Sequence, residues 1–278
     1  MIRRYTLFGN PVEHSLSPKI HTLFAEQVQR RITYTTSLAT EDQFAKSLRE
    51  YQQSGAQGCN VTLPFKQLAL EHCDKLNKAA EIAGSVNTIK FAADGSLHGF
   101  NTDGSGFISD IKKSHGVDLV GKKVLLIGAG GAARGIIDPL LKADIASLMV
   151  ANRTLANAEA LVDRFSQYDN INACDLESLS SNAADTESFD LVINSTSAKH
   201  SDSSLSLSSS VLAADAVAYD MSYSEDSSGL TPFVEWARKQ GCTRAYDGIG
   251  MLLEQAADAF FIWEDVRPKT RMIMLKLR

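Results

Sequence analysis

Two polar clusters in the first part of the chain carry side chains suited to acid–base chemistry. Lys66 follows the predicted strand 58–63 and opens a predicted helix, and Asp103 follows the predicted strand 97–100. A cation at the start of a helix is unfavourable for the helix dipole, so local structure does not explain Lys66. A lysine and a carboxylate on neighbouring strand ends can stabilise and protonate the alkoxide that hydride addition to a carbonyl produces. The sequence therefore predicts a proton-handling pair.

Each of these side chains also has an ordinary structural interpretation. Lysine is usually an exposed surface residue, and Asp103 is a favoured N-cap for the next helix. In a third cluster, Ser17 is predicted to be an N-cap and Pro18 the first helical residue. Two hydroxyls, Ser15 and Ser17, beside free helix N–H groups also suit a carboxylate ligand. Both interpretations, a capping turn and a ligand site, stay open on these residues alone.

A glycine-rich turn follows a predicted buried strand in the middle of the chain. Gly128, Gly130 and Ala133 match the pattern G-x-G-x-x-G/A between strand 123–127 and a helix. Small residues let backbone N–H groups approach a pyrophosphate, and the helix N-terminus adds unpaired donors and a favourable dipole. The turn therefore predicts a site for a nicotinamide or flavin nucleotide. A tight turn without a ligand is the alternative.

The residues after the next predicted strand indicate which nicotinamide nucleotide would bind. An NAD site usually has a carboxylate at this point, to hold the ribose diol. Here the chain has Asn152, Arg153 and Thr154. Arg153 could meet a 2′-phosphate, with its neutral neighbours as hydrogen-bond partners, which favours NADP. A surface arginine before a Thr-capped helix is the alternative.

Composition excludes several classes of protein. The chain has 278 residues, 44% hydrophobic and 22% charged, with a formal net charge of −5. This length suits two α/β domains, and the acidic balance disfavours nucleic acid as a partner. No signal peptide and no membrane span are predicted. The four scattered cysteines have no zinc or redox spacing, which predicts a reducing cytoplasm, no disulfide and no metal. The cysteines are Cys59, Cys73, Cys174 and Cys242.

Strand and helix patterns alternate along the chain, which is typical of a mostly parallel sheet. Asp94 and Gly95 predict a hairpin between two of the strands. The serine-rich stretches 178–188 and 201–210 are predicted to be loops or weak helices. The predicted strands are 5–9, 32–38, 58–63, 86–91, 97–100, 123–127, 147–151, 171–174, 189–194 and 216–221, and the predicted helices are 18–29, 41–52, about three turns after Pro64, 133–142, 154–165, 231–240 and 250–263.

An ordered series of motifs through nearly the whole chain resembles the shikimate dehydrogenases, which reduce 3-dehydroshikimate to shikimate with NADPH. The matching motifs are Phe8–Pro11, His14–Pro18, Asn60–Lys66, Ala83–Thr88, Asn101–Gly104, Gly128–Ala132, Asn152–Thr154, Ile193–Ser197, Tyr219–Met221 and Asp247–Leu252.

The resemblance implies a role for each matching position. Lys66 and Asp103 would be the catalytic pair, with Lys66 as general acid/base at the reacting oxygen. Ser15 and Ser17, helped by Tyr223, would hold the substrate carboxylate. The ring hydroxyls would meet Asn60, Thr62, Asn87 and Gln255. NADP would be bound by Gly128, Ala129, Gly130, Gly131, Ala132, Asn152, Arg153, Thr154, Met221 and Gly248.

The resemblance also implies the fold: an α/β substrate domain over residues 1–103, a doubly wound Rossmann-type NADP domain over 104–243, and C-terminal helices 244–278 that return to the first domain. The substrate would lie in the cleft between domains. The expected protein is a cytoplasmic monomer or homodimer of chorismate and aromatic amino-acid biosynthesis, with no nucleic-acid or membrane partner.

Two alternatives stay open. One is a quinate/shikimate dehydrogenase that uses NAD, against which Arg153 and Ser15 argue. The other is a catalytically silent NADP-binding regulator, against which the presence of both Lys66 and Asp103 argues. The chain departs from the family pattern in its serine-rich segment 201–210, in the acidic segment Glu225–Ser228 and at Ser222. These departures lie in loops that the resemblance places near the cofactor, and they leave the catalytic pair unchanged.

Overall fold

The computed structural model describes residues 2–180, 187–196, 207–224 and 228–277, and it divides the chain into two compact units. The first unit comprises Met1–Asp110 and Met251–Arg278, and the second comprises Ile111–Gly250. The predicted domain boundaries, after residues 103 and 243, lie a few residues before these divisions. Most of the serine-rich stretches 178–188 and 201–210, together with Ser197 and residues 225–227, lies outside the described residues.

The first unit is built on a six-stranded sheet in the order β2-β1-β3-β5-β6-β4. β5 is antiparallel to both of its neighbours, and every other pairing is parallel. The sheet is therefore mostly parallel, as predicted, and β5 and β6 form the predicted hairpin. The strands are β1 (Arg3–Gly9), β2 (Ile32–Leu38), β3 (Gly58–Val61), β4 (Lys75–Leu76), β5 (Thr88–Phe91) and β6 (Leu97–Phe100).

Helices of the first unit contribute to two hydrophobic clusters on this sheet. One cluster joins Phe8 and Ile89 of the strands to Phe44. The other joins Tyr5 and Tyr34 to Ala259 and Trp263 from the C-terminal segment, which belongs to this unit as the resemblance implied. The helices are α1 (Ser17–Gln27), α2 (Glu41–Gln53), α3 (Lys66–Glu71), α4 (Lys78–Ala83), α5 (Asp103–Ser109), α9 (Ile249–Glu264), whose first two residues fall in the second unit, and α10 (Thr270–Leu277).

The second unit contains a six-stranded sheet, in the order β12-β11-β10-β7-β8-β9, with all strands parallel. This is the strand order 3-2-1-4-5-6 of a doubly wound nucleotide-binding fold, with a switch point between β7 and β10. The strands are β7 (Lys123–Ile127), β8 (Ser147–Asn152), β9 (Ile171–Asp175), β10 (Phe189–Asn194), β11 (Leu212–Asp220) and β12 (Arg244–Tyr246), and the helices are α6 (Gly131–Leu141), α7 (Leu155–Asp163) and α8 (Pro232–Lys239).

One predicted helix is shorter than expected. The prediction gave about three turns after Pro64, but α3 has only six residues. The helix ends at Glu71 because the following residues pair with the first sheet instead. The Asp74 N–H donates to the carbonyl of Leu97, and the Leu97 N–H donates to the Asp74 carboxylate. This pairing begins β4, which the prediction missed together with α4, β12 and α10. Within the described ranges, no helix is both long enough and apolar enough to cross a membrane.

Candidate active site

The antiparallel strand β5 brings three polar segments to one edge of the first sheet. In the register of the sheet, Thr88 at the start of β5 pairs with Asn60 of β3 and with Phe100 at the end of β6. The start of β5 therefore lies where β3 and β6 end. As a result, Asn87, which precedes β5, lies between Asn60 and the Asn101–Asp103 segment.

Lys66 and Asp103 form a largely buried ion pair at this edge. Lys66 Nζ lies 2.6 Å from Asp103 Oδ2, and the side chains are only 12% and 6% exposed. The other carboxylate oxygen accepts a hydrogen bond of 2.8 Å from Asn87 Nδ2. Asp103 is the first residue of α5, whose N-cap position is Thr102. The capping interpretation of Asp103 is therefore wrong, because both of its oxygens are held by these two side chains.

Asn87 holds Asp103 in place and has little capacity left for a ligand. Its Oδ1 accepts hydrogen bonds from the Thr102 N–H, the Thr102 hydroxyl and the Thr88 hydroxyl. Its Nδ2 also approaches Thr102 Oγ1 at 3.0 Å and Gln255 Oε1 at 3.4 Å. These contacts fix the carboxamide so that its N–H group faces the carboxylate.

Helix α9 supplies Gln255 through a close crossing with α5. A Cβ atom added at Gly106 would lie 2.7 Å from Gln255 Cβ and 2.8 Å from its backbone nitrogen. Only glycine allows the two helices to approach this closely. The half-buried Gln255 side chain thus reaches Thr102 and Asn87 from the C-terminal segment.

Asn60 is 6% exposed and takes part in the same network. Its Nδ2 donates to the Asn87 carbonyl and to Thr88 Oγ1, and its Oδ1 accepts a 2.7 Å bond from the Tyr34 hydroxyl. Thr62 is half-buried beyond the end of β3, and its methyl group would meet a Cβ added at Gly9 at 2.4 Å. The structure therefore places both residues at the edge that holds the ion pair.

The serine cluster lies at the start of α1, and its capping pattern differs from the prediction. The helix begins at Ser17, the N-cap position is Leu16, and no side chain caps that position. Instead, Ser15 Oγ accepts the Ser17 N–H at 3.2 Å. The prediction that Ser17 is the N-cap is wrong, and its buried hydroxyl does not serve the helix terminus.

Burial keeps two groups near Asn60 uncharged. Burial lowers the pKa of His21 to about 3, and neither ring nitrogen has a hydrogen-bond partner among the described residues. Burial also raises the pKa of Tyr34 well above its usual range. His21 is therefore neutral and the Tyr34 hydroxyl keeps its proton at physiological pH.

The glycine-rich turn of the second unit has the shape that a dinucleotide requires. Gly128 has φ +106°, and a Cβ there would lie 2.6 Å from Ser195 Oγ, just after β10. Gly130, at the N-cap of α6, has open space where a Cβ would lie, and no side chain caps the helix. The turn thus lies at the switch point of the sheet, with helix N–H groups available to a pyrophosphate. Ala129, Gly131 and Ala132 complete it.

Other predicted cofactor residues lie at the ends of the strands in this unit. Asn152 ends β8 and donates from Nδ2 to the Thr154 carbonyl at 2.9 Å. Arg153 is exposed, and no carboxylate within the described ranges pairs with it. A Cβ at Gly248 would lie 2.4 Å from the Met221 carbonyl. Arg153 follows β8, the strand beside β7, and the glycine-rich turn follows β7. An unpaired arginine at this position suits a 2′-phosphate.

The predicted site residues fall into two groups. The first unit contains Ser15, Ser17, Asn60, Thr62, Lys66, Asn87, Asp103 and Gln255, and the second contains the cofactor residues and the half-buried Tyr223. Three residues of the network were not predicted to have a role: Tyr34, Thr88 and Thr102. Thr88 adjoins Asn87 and Thr102 adjoins Asp103 in the matching motifs, which is a usable signal. Tyr34 lies in a Tyr/Thr-rich strand, which gives no such signal. The described residues contain no cluster of His, Cys, Asp and Glu that could hold a metal ion.

A doubly wound nucleotide-binding unit, together with a buried lysine–carboxylate pair, defines a nicotinamide-nucleotide-dependent oxidoreductase. Comparison with known proteins identifies the group within this class. Residues 7–89 match the model of the shikimate dehydrogenase substrate binding domain, and residues 110–212 match that of shikimate/quinate 5-dehydrogenase. The chain belongs to the shikimate dehydrogenase family.

Full-length relatives agree with this assignment. The chain is 46% identical to the NADP(+) shikimate dehydrogenase of Aeromonas salmonicida over 99% of this chain and 97% of that protein. An Ael1 enzyme from Pseudomonas putida has a similar structure, with a TM-score of 0.85 and 38% identity over 99% and 98% of the two chains. Shikimate 5-dehydrogenase from Thermus thermophilus, solved with NADP(H) and shikimate, has a TM-score of 0.82 and 29% identity over 99% and 98%.

Proposed function

We propose that this protein is an NADP-dependent shikimate dehydrogenase that interconverts 3-dehydroshikimate and shikimate. The observation that carries this proposal is the 2.6 Å contact between Lys66 Nζ and Asp103 Oδ2 at the buried edge of the first sheet. Family membership and the nucleotide-binding turn support it. By the same membership, we assign the protein to the biosynthesis of chorismate and the aromatic amino acids.

Carbonyl reduction needs a hydride at carbon and a proton at oxygen. Bound NADPH supplies the hydride. We assign the proton transfer to Lys66, which would donate to the developing alkoxide and, in the reverse direction, accept the proton of the shikimate hydroxyl. Asp103 orients the lysine side chain and balances its charge. Asn87 holds Asp103 in turn, because its Nδ2 donates to the second carboxylate oxygen.

The other first-unit residues would bind the substrate. We assign the carboxylate to Ser15 and Ser17, whose hydroxyls lie at the start of α1, and family membership adds Tyr223. We assign the ring hydroxyls to Asn60, Thr62 and Gln255, and to the remaining bonding capacity of Asn87. Asn60 would act only as an acceptor, because both protons of its Nδ2 are already donated to the protein.

For the cofactor, we propose that the turn from Gly128 to Ala132 binds the pyrophosphate and that Asn152, Arg153 and Thr154 bind the 2′-phosphate. Met221 and Gly248 are proposed further contacts. We also propose a cytoplasmic location, which the four free cysteines support. The proposed states, monomer or homodimer, can be distinguished by light scattering.

Turnover by the purified protein tests the proposal. Shikimate with NADP+ should produce NADPH, with a higher kcat/KM for NADP+ than for NAD+. Arg153→Ala should raise the KM for NADP+ at least about 10-fold, since each charge-assisted hydrogen bond contributes about 1.5–3 kcal/mol, and should affect NAD+ much less. Arg49→Ala, at an exposed arginine of α2, is the control.

Three outcomes would contradict parts of the proposal. A preference for quinate and NAD+ would indicate the quinate/shikimate alternative. Binding of NADP without turnover of any cyclic polyol acid would indicate a silent nucleotide-binding protein. An equal loss with both cofactors in Arg153→Ala would remove Arg153 from the 2′-phosphate site.

A further inference from the structure

Tyr34 lies on β2 and reaches the proposed substrate site through its hydroxyl. Its side chain is buried, and the hydroxyl lies 2.7 Å from Asn60 Oδ1. The ring stacks on that of His21, with centroids 4.2 Å apart and an interplanar angle of 5°. The ring is therefore held by packing. The hydroxyl makes polar contacts with Asn60 and with Ser17, and Tyr34→Phe removes them without removing the ring.

The direction of this hydrogen bond follows from its neighbours. Asn60 Nδ2 lies 3.1 Å from the Asn87 carbonyl oxygen, which can only accept. The nitrogen of the carboxamide must therefore face that carbonyl, and Oδ1 must face Tyr34. Since Oδ1 has no proton, Tyr34 must donate.

The same reasoning extends to the catalytic carboxylate. Thr88 Oγ1 accepts from Asn60 Nδ2 at 2.9 Å, so the single Thr88 proton is donated to Asn87 Oδ1 at 3.0 Å. Asn87 Nδ2 then donates to Asp103 Oδ1 at 2.8 Å. Every bond runs in one direction, and in such a chain each bond polarises the next.

We propose that Tyr34 is a positioning residue for substrate binding, which fixes the Asn60 carboxamide at the start of a directional hydrogen-bond chain that ends on Asp103. This inference rests on the proposed function, because it takes Asn60 to accept a hydrogen bond from a substrate hydroxyl. By donating to Asn60 Oδ1, Tyr34 sets the direction in which this oxygen faces a substrate hydroxyl.

Tyr34→Phe tests the proposal because it removes the hydroxyl and keeps the stacked ring. The KM and the calorimetric Kd for shikimate should rise about 3- to 10-fold, the size of one hydrogen bond. The kcat should stay close to that of the wild type, because Thr102 also holds Asn87.

The chain offers a closely matched control. Tyr5 is the register partner of Tyr34 on the neighbouring strand, is also buried, and donates a 2.7 Å bond to Glu264 Oε1. Tyr5→Phe should lower the melting temperature and leave the KM for shikimate unchanged. A purely structural role for Tyr34 would give the same result in both variants, and that result would overturn the proposal.

Two further measurements keep the test decisive. In an Asn60→Ala background, Tyr34→Phe should add nothing to the KM, and an independent increase there would overturn action through Asn60.

If Tyr34→Phe does not fold, Thr88→Val breaks the next bond of the chain. Thr88→Val should raise the KM, Thr88→Ser should restore it, and Thr6→Val, at a buried threonine bonded to Thr35 and Ser37, should leave it unchanged. An unchanged KM in Thr88→Val would then overturn the proposal.

The experiment separates this inference from the proposed function. A wild-type protein that does not turn over shikimate contradicts both. A wild-type protein that turns it over, with an unchanged KM in Tyr34→Phe, contradicts only the positioning role.

Discussion

At the scale of the residue, the site depends on an ion pair with very little contact with water. Removing one partner of such a pair leaves an uncompensated charge, which destabilises a protein by about 3–5 kcal/mol. If Lys66 is removed, Asp103 keeps the hydrogen bond from Asn87 to one carboxylate oxygen, and the other oxygen loses its partner. Variants of the pair must therefore be compared for stability as well as for rate.

Lys66→Ala should lower kcat by at least about 10²-fold, the lower end of general acid–base effects, while shikimate still binds with a similar Kd. The pH–rate profile of this variant, compared with that of Asp103→Asn, would show which member of the pair carries the transferred proton. Lys78→Ala, at a lysine with an 81% exposed side chain, is the control and should keep full activity. Near-normal turnover in Lys66→Ala would remove Lys66 from the chemistry.

The sequence predicts the catalytic residues better than it predicts their supports. Lys66 stood out because a cation at a helix start is unfavourable, and Asp103 because it follows a strand end. Tyr34 could not be found in this way, because tyrosine in β2 is ordinary strand composition. Its role depends on the strand order β2-β1-β3, which no local pattern encodes.

At the scale of the element, two features set the site geometry: the antiparallel strand β5 and the close crossing of α5 with α9. Periodicity predicts β5 and α9 as elements, and the Asp94–Gly95 signal predicts the hairpin. The crossing of α5 and α9 is not predictable, because a glycine within a helix pattern does not say which backbone approaches it. In the structure, the backbone of α9 at Gln255 approaches Gly106 of α5. This crossing places the Gln255 side chain beside Thr102.

Gly106→Ala should therefore disturb both stability and binding. The new methyl group would lie 2.8 Å from the Gln255 backbone nitrogen, so the helices must separate. We expect a loss of about 1–3 kcal/mol in the free energy of unfolding, measured in urea, and a several-fold rise in the KM for shikimate.

Gly95→Ala controls for simple destabilisation. Gly95 has φ +85° and open space around its Cβ position, so alanine there is strained but touches nothing. It should lower stability and leave the KM unchanged. If Gly106→Ala also left the KM unchanged, the crossing would have no part in positioning Gln255.

At the scale of the whole molecule, the chain completes each sheet separately and passes between the compact units after Asp110 and after Gly250. Alternating strands and helices predict two α/β units. They do not predict that residues 251–278 belong to the first unit, because an amphipathic helix can cover any apolar sheet. Only the resemblance to a family implied that return.

The second unit carries a buried acidic group that couples its stability to pH. Asp220, at the end of β11, is 2% exposed. Burial, together with the nearby Asp247 carboxylate, raises its pKa to about 6, although hydrogen bonds from Thr231, Ser222 and Asn194 oppose the rise. The folded state therefore binds more protons than the unfolded state between about pH 4 and pH 6, so this group's contribution to stability falls as pH rises through that window.

Asp220→Asn should remove this dependence. The free energy of unfolding of the variant, relative to the wild type, should increase by up to about 3 kcal/mol between pH 4 and pH 7, since each pKa unit corresponds to about 1.36 kcal/mol. Urea denaturation followed by tryptophan fluorescence measures this free energy of unfolding. Each unit contains one tryptophan, Trp236 in the second and Trp263 in the first, so the signal reports on the unfolding of both. Asp247→Asn should reduce the dependence without abolishing it. Parallel pH curves for wild type and Asp220→Asn would show that Asp220 does not set the pH response of the second unit.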